Sequence, residues 1–157
     1  MGGAARAAAM GPRSLSLLNL HTGERLSATY FENGAYVSDA LSALNHVLRD
    51  FRTGETHPMA PDLIDLVNSL QARLETRETV HVISGYRSPH TNAVLHERSD
   101  GVATHSLHMV GEAMDIRIPG VQLAHLRDAA LGMQRGGVGY YPDSDFVHVD
   151  VGRVRRW

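Results

Sequence analysis

Apolar and polar residues alternate along the first part of the chain, a pattern typical of β-strands that bury one face. This pattern predicts two short strands within residues 15–31, joined by a turn at residues 21–24. From Ser38 the apolar spacing changes to three and four residues, which predicts an amphipathic helix with Ser38 or Asp39 as its N-cap. The apolar face of this helix comprises Leu41, Leu44, Leu48 and Phe51. A second helix of the same spacing is predicted from Asp62 onward.

Strand patterns dominate the second half of the chain. Strands are predicted at residues 79–84, at 112–118, and twice within 136–152 on either side of a Tyr-Pro-Asp turn. Helices are predicted at 91–97 and 121–133. Because helices precede a half that is rich in strands, we predict a single α+β domain at residues 15–157. Residues 1–14, which are small and weakly patterned, are predicted to be a flexible segment, either the remnant of an export signal or a cloning scar.

Composition narrows the possible classes of protein. A chain of 157 residues with 43% hydrophobic residues is long enough to bury its own core. The formal net charge of −2 gives no sign of a nucleic-acid partner or of an anionic membrane surface. The absence of cysteine excludes disulfides and thiolate metal sites. The sequence has no apolar run of about 18 residues, so we expect no transmembrane segment.

Residues with metal-binding chemistry recur on the strands of the second half. In the last strand alternate valines face the core, so His148 and Asp150 share the opposite face. Asp115 lies on the polar face of the strand at 112–118. If these strands are neighbours, Asp115 and His148 face one cleft, with His108 on the loop before it. Two imidazoles and one carboxylate form a three-ligand zinc set with an open fourth position; the alternative is that these histidines are ordinary surface residues or partners that orient a ligand.

Three segments resemble a known enzyme family. The segment SLHMVGEAMD (106–115) resembles the Ser-x-His-x-x-Gly-x-Ala-x-Asp signature of the M15 zinc peptidases, the D-Ala-D-Ala peptidase group of cell-wall enzymes. SGYRSPHTN (84–92) is similar to their arginine-bearing strand and turn, and GGVGYYPDSDFVHVDVGRVRRW (136–157) resembles the murein endopeptidase branch of that family. The resemblance covers roughly residues 15–157. It implies the Hedgehog/D-Ala-D-Ala peptidase-like fold, in which N-terminal helices pack on a small, mostly antiparallel sheet that carries a zinc site.

The resemblance also implies roles for individual residues. Three residues match the zinc ligands of the family: His108, Asp115 and His148. Arg87 matches the arginine that stabilises the developing oxyanion, a task for which a permanent charge on a planar fork is well suited. Asp145 occupies the position where other M15 branches place a glutamate as general base, three residues before the last histidine ligand. Asp150 is the competing candidate, with a second interpretation as the partner that orients an imidazole; the comparison slightly favours Asp145.

The function that the resemblance implies is hydrolysis of peptide cross-links in bacterial peptidoglycan by zinc-activated water. Substrates would be peptide stems joined through two diaminopimelate residues, with links that contain D-Ala as the close alternative. Members of this branch are exported, so the expected location is the periplasm or cell envelope, and a monomer is expected. The second hypothesis is a non-catalytic zinc-binding cell-wall module, which a fourth protein ligand from His105 or Asp150 would support. The third is an adhesion or signalling domain without metal.

Overall fold

The computed structural model describes residues 11–157. Most of the predicted flexible segment, up to residue 10, therefore lies outside the described residues, and the first strand begins at Arg13. Within the described residues, no helix combines the length and the apolar character needed to span a bilayer.

All the strands in the part of the chain that the structure describes belong to one sheet. In chain order they are β1 (Arg13–Asn19), β2 (Arg25–Glu32), β3 (Ala35–Tyr36), β4 (Val80–Ser84), β5 (Ala113–Arg117), β6 (Gly137–Tyr141), β7 (Phe146–Asp150) and β8 (Arg155–Arg156). Four α-helices lie within the described residues: α1 (Ser38–Val47), α2 (Pro61–Arg73), α3 (Pro89–Arg98) and α4 (Leu123–Met133). A short 3₁₀-helix, Leu107–Val110, directly precedes β5.

The spatial order of the strands is β3-β2-β1-β4-β5-β7-β6-β8. The pairs β1–β4 and β6–β8 are parallel, and the other five pairs are antiparallel. The predicted α+β class and the mostly antiparallel sheet are thus confirmed. The N-terminal hairpin adds its strands to the same sheet, which brings the total to eight.

Alternation along the strands separates a core face from a polar face, as the sequence pattern predicted. In β5, Met114 and Ile116 are fully buried against the helices. The apolar stripe of α2 packs into the same core through side chains that include Leu63, Val67 and Leu70. The opposite face of β5 and β7 carries the polar side chains of the candidate site.

The predicted N-cap of α1 was wrong by one residue. The N-cap is Val37, whose side chain has no hydrogen-bonding atom, and the helix starts at Ser38. The reason is that Val37 follows β3 at once and its amide donates to the Tyr30 carbonyl oxygen at 2.9 Å, which holds Val37 in an extended conformation. The helix ends at Val47, so Leu48 packs in the core as the C-cap residue.

Candidate metal centre and active site

The pairing of β5 with β7 brings two of the predicted ligands together. Asp115 lies directly opposite His148 in the antiparallel ladder, and the Asp115 Oδ1 atom is 2.9 Å from His148 Nδ1. The same Oδ1 atom is 3.2 Å from His108 Nε2. All three side chains are buried, with residue exposures of 2% for His108, 5% for Asp115 and 8% for His148. The two strands are therefore neighbours, which is the condition under which Asp115 and His148 were expected to face one cleft.

His108 is positioned by the 3₁₀-helix that carries it. Ser106 is the N-cap of this helix, and its hydroxyl accepts a hydrogen bond from the His108 amide at 3.3 Å. The His108 Nδ1 atom lies 2.7 Å from the Gly85 carbonyl oxygen. Since a carbonyl only accepts, Nδ1 carries a proton, and Nε2 is the ring atom that faces Asp115. A backbone acceptor behind an imidazole is a common way to orient a metal ligand.

Gly111 ends the 3₁₀-helix in a left-handed conformation, with φ of +73°. A Cβ atom at this position would also collide with the Pro58 carbonyl oxygen. Position 111 therefore requires glycine for two reasons, its left-handed backbone conformation and the lack of space for a Cβ atom.

Replacing Gly111 with alanine is expected to lower the free energy of unfolding by about 3 kcal/mol, because steric collision adds to left-handed strain. Gly120 is the matched control: its φ is +77°, yet a Cβ there would meet no atom within 4 Å. Gly120→Ala should cost only about 1 kcal/mol, the strain alone. Urea denaturation of both variants measures the difference, and equal losses would mean that the contact with Pro58 carries no cost.

His148 is held from its other side by Asp150. The His148 Nε2 atom lies 2.8 Å from Asp150 Oδ2, which leaves Nδ1 facing Asp115. Burial alone would favour the neutral ring, but the hydrogen bonds to Asp115 and Asp150 raise the pKa of His148 above its ordinary value. The carboxylate–imidazole pair orients the ring and raises its basicity.

The Asp150 carboxylate is saturated with hydrogen bonds. Its Oδ1 atom accepts from the amides of Gly137 and Gly152, each at 2.9 Å. Arg155 adds a bidentate contact, with distances of 3.0 Å to Oδ1 and 2.8 Å to Oδ2. Burial of this residue opposes ionisation, but the bonds from His148, Arg155 and the two glycine amides hold the pKa of Asp150 well below its usual range.

The three predicted ligands fit a zinc ion in their chemistry and spacing. One candidate donor atom from each of them lies within 4.8 Å of the other two. A tetrahedral zinc with bonds of about 2.0–2.1 Å requires ligand atoms about 3.3 Å apart, close to the 3.2 Å and 2.9 Å seen around Asp115 Oδ1. Both imidazoles also have an orienting partner on the far ring nitrogen, as metal-binding histidines do. The group therefore suits a metal with a fourth position open to the adjoining cavity.

Charge within the cluster is also consistent with cation binding. Burial would raise the pKa of Asp115, but the charges and hydrogen bonds of His108 and His148 hold it well below its usual range. The carboxylate is thus ionised at neutral pH, which is the state that a metal requires.

Arg87 approaches the cluster from the turn after β4. Its NH2 atom lies 3.8 Å from Asp115 Oδ2, and its NH1 atom donates to Asn92 Oδ1 at 3.3 Å. The backbone amide of Arg87 donates to the His108 carbonyl oxygen at 3.1 Å, which links the turn to the 3₁₀-helix. Among the described residues, the buried Nε atom has no hydrogen-bond partner. The Arg87 side chain is one of those that line the adjoining cavity.

The turn that carries Arg87 is held in place by hydrogen bonds of the next residue, Ser88. Ser88 is the N-cap of α3, and its hydroxyl accepts from the Thr91 amide at 3.2 Å. The Ser88 amide donates to the buried carboxylate of Asp50 at 2.9 Å. Burial raises the pKa of Asp50, but hydrogen bonds from Ser88 and its neighbours outweigh that effect and lower it. Capping, rather than contact with substrate, is thus the observed role of Ser88.

Asp145 and Asp150 lie in very different surroundings. Asp145 is in the turn before β7, with φ of +56° and an exposed side chain. Its Oδ2 atom accepts from Arg117 NH1 at 3.0 Å. The residues on either side of it, Ser144 and Phe146, both line the cavity, whereas the side chain of Asp145 is turned towards Arg117.

A cavity of about 550 Å³ opens over the cluster. His105 lines this cavity but lies outside the three-residue cluster. Arg155, Trp157 and Tyr141 were not among the predicted site residues, but all three line the cavity. The last six residues, Gly-Arg-Val-Arg-Arg-Trp, resembled the family in sequence. They reach the cavity because β8 pairs in parallel with β6, and this pairing has no periodic signal in the local sequence.

Comparison with known proteins identifies the family. A family model described as peptidoglycan L,D-endopeptidase MepK, of the M15 type 2 peptidases, matches residues 7–157. The peptidoglycan L,D-endopeptidase MepK of Escherichia coli (strain K12) is 49% identical over 146 residues, which are 93% of this chain and 80% of the relative. The probable peptidoglycan L,D-endopeptidase MepK of Haemophilus influenzae is 43% identical over 147 residues, 93% of this chain and 79% of the relative.

These matches agree with the motifs around His108, Arg87 and His148, and they cover nearly the whole chain. The chain therefore belongs to the M15 type 2 peptidase family, the branch of the peptidoglycan L,D-endopeptidases.

Proposed function

We propose that the chain is a zinc-dependent peptidoglycan endopeptidase that hydrolyses peptide cross-links of the bacterial cell wall. Its relatives are named as L,D-endopeptidases, so the proposed bond is the L,D-link between two diaminopimelate residues, with D-Ala-containing links as the alternative. Because this substrate lies in the cell envelope, the proposed location is the periplasm. The observation that carries the proposal is the convergence of two oriented imidazoles and one ionised carboxylate at the base of an open cavity.

His108, Asp115 and His148 would hold the zinc ion. When bound there, zinc would supply a Lewis acid for the scissile carbonyl and a nearby water of lowered pKa. The protein contributes the rest of the chemistry. Gly85 and Asp150 keep the two imidazoles in the tautomers that aim at one point.

Arg87 would stabilise the oxyanion that develops when the carbonyl is attacked. Its guanidinium is largely buried, stays charged and holds NH2 3.8 Å from Asp115 Oδ2. A donor fixed before the reaction needs no reorganisation as charge develops, which is the condition for effective electrostatic stabilisation.

Asp145 is the proposed general base, and Asp150 the proposed positioning residue. Each oxygen of Asp150 already accepts at least two hydrogen bonds, so this carboxylate has no free site for a proton from water. Asp145 is exposed and, among residues 11–157, has a single ion-pair partner, Arg117. Rotation of its side chain away from Arg117 would turn the carboxylate towards the cavity that Ser144 and Phe146 line. There it would accept the proton of the attacking water and pass it to the leaving amine.

Two substitutions separate these roles. Asp145→Asn is expected to lower kcat by about 100-fold or more with unchanged zinc content, as loss of general base catalysis does. Asp150→Asn is expected to weaken zinc affinity by about 10- to 100-fold, because it removes the partner of His148. Steady-state kinetics and zinc titration on both variants give the comparison. Asp143 is an exposed acid in the same turn, so Asp143→Asn is the control. A wild-type kcat in Asp145→Asn would reject Asp145 as the general base.

Metal removal tests the proposal on the unmodified chain. Dialysis against a strong chelator should abolish release of peptide ends from peptidoglycan, and one equivalent of Zn²⁺ should restore it, because a single three-residue ligand set suits one ion. Activity that persists in the metal-free protein, checked by elemental analysis, would contradict zinc dependence.

The alternative of a closed, non-catalytic zinc module has no support in the site. Within residues 11–157, the cluster offers three ligands, not four. Asp150 lies behind His148, on the opposite ring nitrogen from Asp115, so it does not face the same point. His105 lines the cavity but is not part of the cluster. An open fourth position is the arrangement of catalytic zinc sites.

A further inference from the structure

Three aromatic side chains form one side of the cavity. We call Tyr141, Phe146 and Trp157 the aromatic wall; all three line the cavity above the ligand cluster. The rings of Tyr141 and Phe146 are stacked, with centroids 4.6 Å apart and planes at 21°. Trp157 Nε1 donates to the Tyr141 hydroxyl at 2.6 Å, which joins the indole to this stack. The wall is thus one connected surface.

Trp157 is held firmly although half of it is exposed. Its amide donates to the Val138 carbonyl oxygen at 3.1 Å, and its carbonyl oxygen accepts from the Tyr140 amide at 3.0 Å. A Cβ atom at Gly139 would lie 2.7 Å from the indole, so a glycine in β6 leaves room for the ring. The side chain nevertheless remains 50% exposed. The fold therefore fixes a large aromatic surface that it does not bury.

The position of the wall relative to the ligand cluster suggests what covers it. The rings of Trp157 and His148 have centroids 5.1 Å apart, so the indole lies next to the point at which the ligands converge. The donors of Arg87 and the imidazole of His105 line the same cavity. A substrate bound here meets polar donors for its amide groups and an apolar surface for its aliphatic groups.

We infer that the aromatic wall binds the methylene side chain of the diamino acid that flanks the scissile amide. The inference rests on the proposed function, which supplies the cross-linked peptide stem as substrate. The side chain of such a residue contains an unbranched run of methylene groups between its two amino-acid centres, and burying these methylenes against fixed aromatic faces releases water from both surfaces. The wall thereby sets affinity for the peptide part of the substrate, whereas the ligand cluster and Arg87 act on the reacting bond.

Trp157 provides a direct optical test, because it is the single tryptophan of the chain. Titration of the zinc-loaded protein with a sugar-free peptide stem that contains diaminopimelate should give a saturable blue shift of tryptophan emission. The matched probe is the disaccharide of the glycan strand without peptide, which should give no shift. A shift with the disaccharide alone would overturn the inference and assign the wall to the glycan, and no shift with the peptide would also overturn it.

Kinetics on a sugar-free cross-linked peptide provide the second test. Trp157→Ala is expected to raise KM by roughly 10-fold or more, since each 1.4 kcal/mol of lost contact is a factor of ten in affinity. kcat and zinc content should change little, and Trp157→Phe should restore most of the affinity. Val154→Ala, which removes an exposed apolar side chain three residues earlier, is the control.

The outcomes separate the wall from the proposed function. Wild-type KM in Trp157→Ala would mean that the indole is only structural and would reject the inference. A fall in kcat with loss of zinc would also reject it, because the indole would then support His148 rather than substrate. Failure of the zinc-loaded wild-type protein to cleave any cross-linked peptide would instead reject the proposed function on which the inference rests.

Discussion

His108→Ala is expected to lose zinc and hydrolysis together. Loss of a residue that only hydrogen-bonds to a metal ligand weakens metal binding by about 10- to 100-fold. Removal of a ligand itself should therefore weaken zinc binding by more than about 100-fold. The imidazole of His108 is buried, its Nδ1 is fixed by the Gly85 carbonyl, and its Nε2 is 3.2 Å from Asp115 Oδ1. A water molecule in the space left by the imidazole would not replace it, because the imidazole is held in a fixed orientation by the Gly85 carbonyl oxygen. Zinc content after dialysis and the rate of cross-link cleavage measure the two losses.

His105→Ala is the matched control for that experiment. His105 lies three residues earlier and lines the same cavity, but it is outside the ligand cluster. We expect one equivalent of zinc and nearly full cleavage in this variant. Circular dichroism and thermal unfolding should show that both variants fold. Full zinc occupancy in His108→Ala would show that the cluster is not the metal site.

Arg87→Lys is expected to lower kcat by about 100- to 1,000-fold, the usual cost of removing one oxyanion donor. Lysine keeps the charge but loses the planar fork, and its flexible stem would not hold a donor where Arg87 holds Nε and NH2. In the structure that fork is fixed by the contact of NH1 with Asn92 and by the backbone bond to His108. KM and zinc content should change far less, because the zinc ligands remain in place.

Arg52→Ala controls for general positive charge near the site. Its guanidinium is exposed and stacks over Phe51, and at physiological salt an exposed charge acts only within about 8 Å. We expect kcat to change by less than about threefold, because such a charge is well screened. A similar fall in kcat for Arg52→Ala and Arg87→Lys would mean that the general positive charge around the site, and not a hydrogen-bond donor fixed by Arg87, stabilises the oxyanion.

The ligand set was accessible from sequence because β-strand geometry is local. Alternation in two strands put Asp115 and His148 on polar faces, and the structure pairs these residues directly across the ladder. The spacing alone left open whether the histidines were ligands, and the family signature made the choice. The structure adds the acceptors behind each ring, Gly85 and Asp150, which explain why both imidazoles point inwards.

Contacts between distant segments were not accessible in the same way. Arg155 reaches Asp150 because β8 pairs in parallel with β6, a connection that leaves no periodic signal in the sequence. The predicted N-cap of α1 was wrong for a related reason. The hydrogen bond from the Val37 amide to the Tyr30 carbonyl oxygen, which fixes the start of the helix, depends on the fold of the preceding hairpin. The choice between Asp145 and Asp150 as general base stays a prediction, although the saturated surroundings of Asp150 now argue for a positioning role.

Digestion of purified peptidoglycan by the zinc-loaded protein, with products identified by mass spectrometry, determines whether this chain cleaves cross-links. Zinc-dependent cleavage by this chain predicts that cross-linked dimers become monomers whose masses place the cut at the L,D-bond between two diaminopimelate residues, and that His108→Ala leaves the dimers intact. Dimers that remain uncut by a protein carrying one equivalent of zinc would contradict it, and would favour a wall-binding module that uses the same three ligands without catalysis.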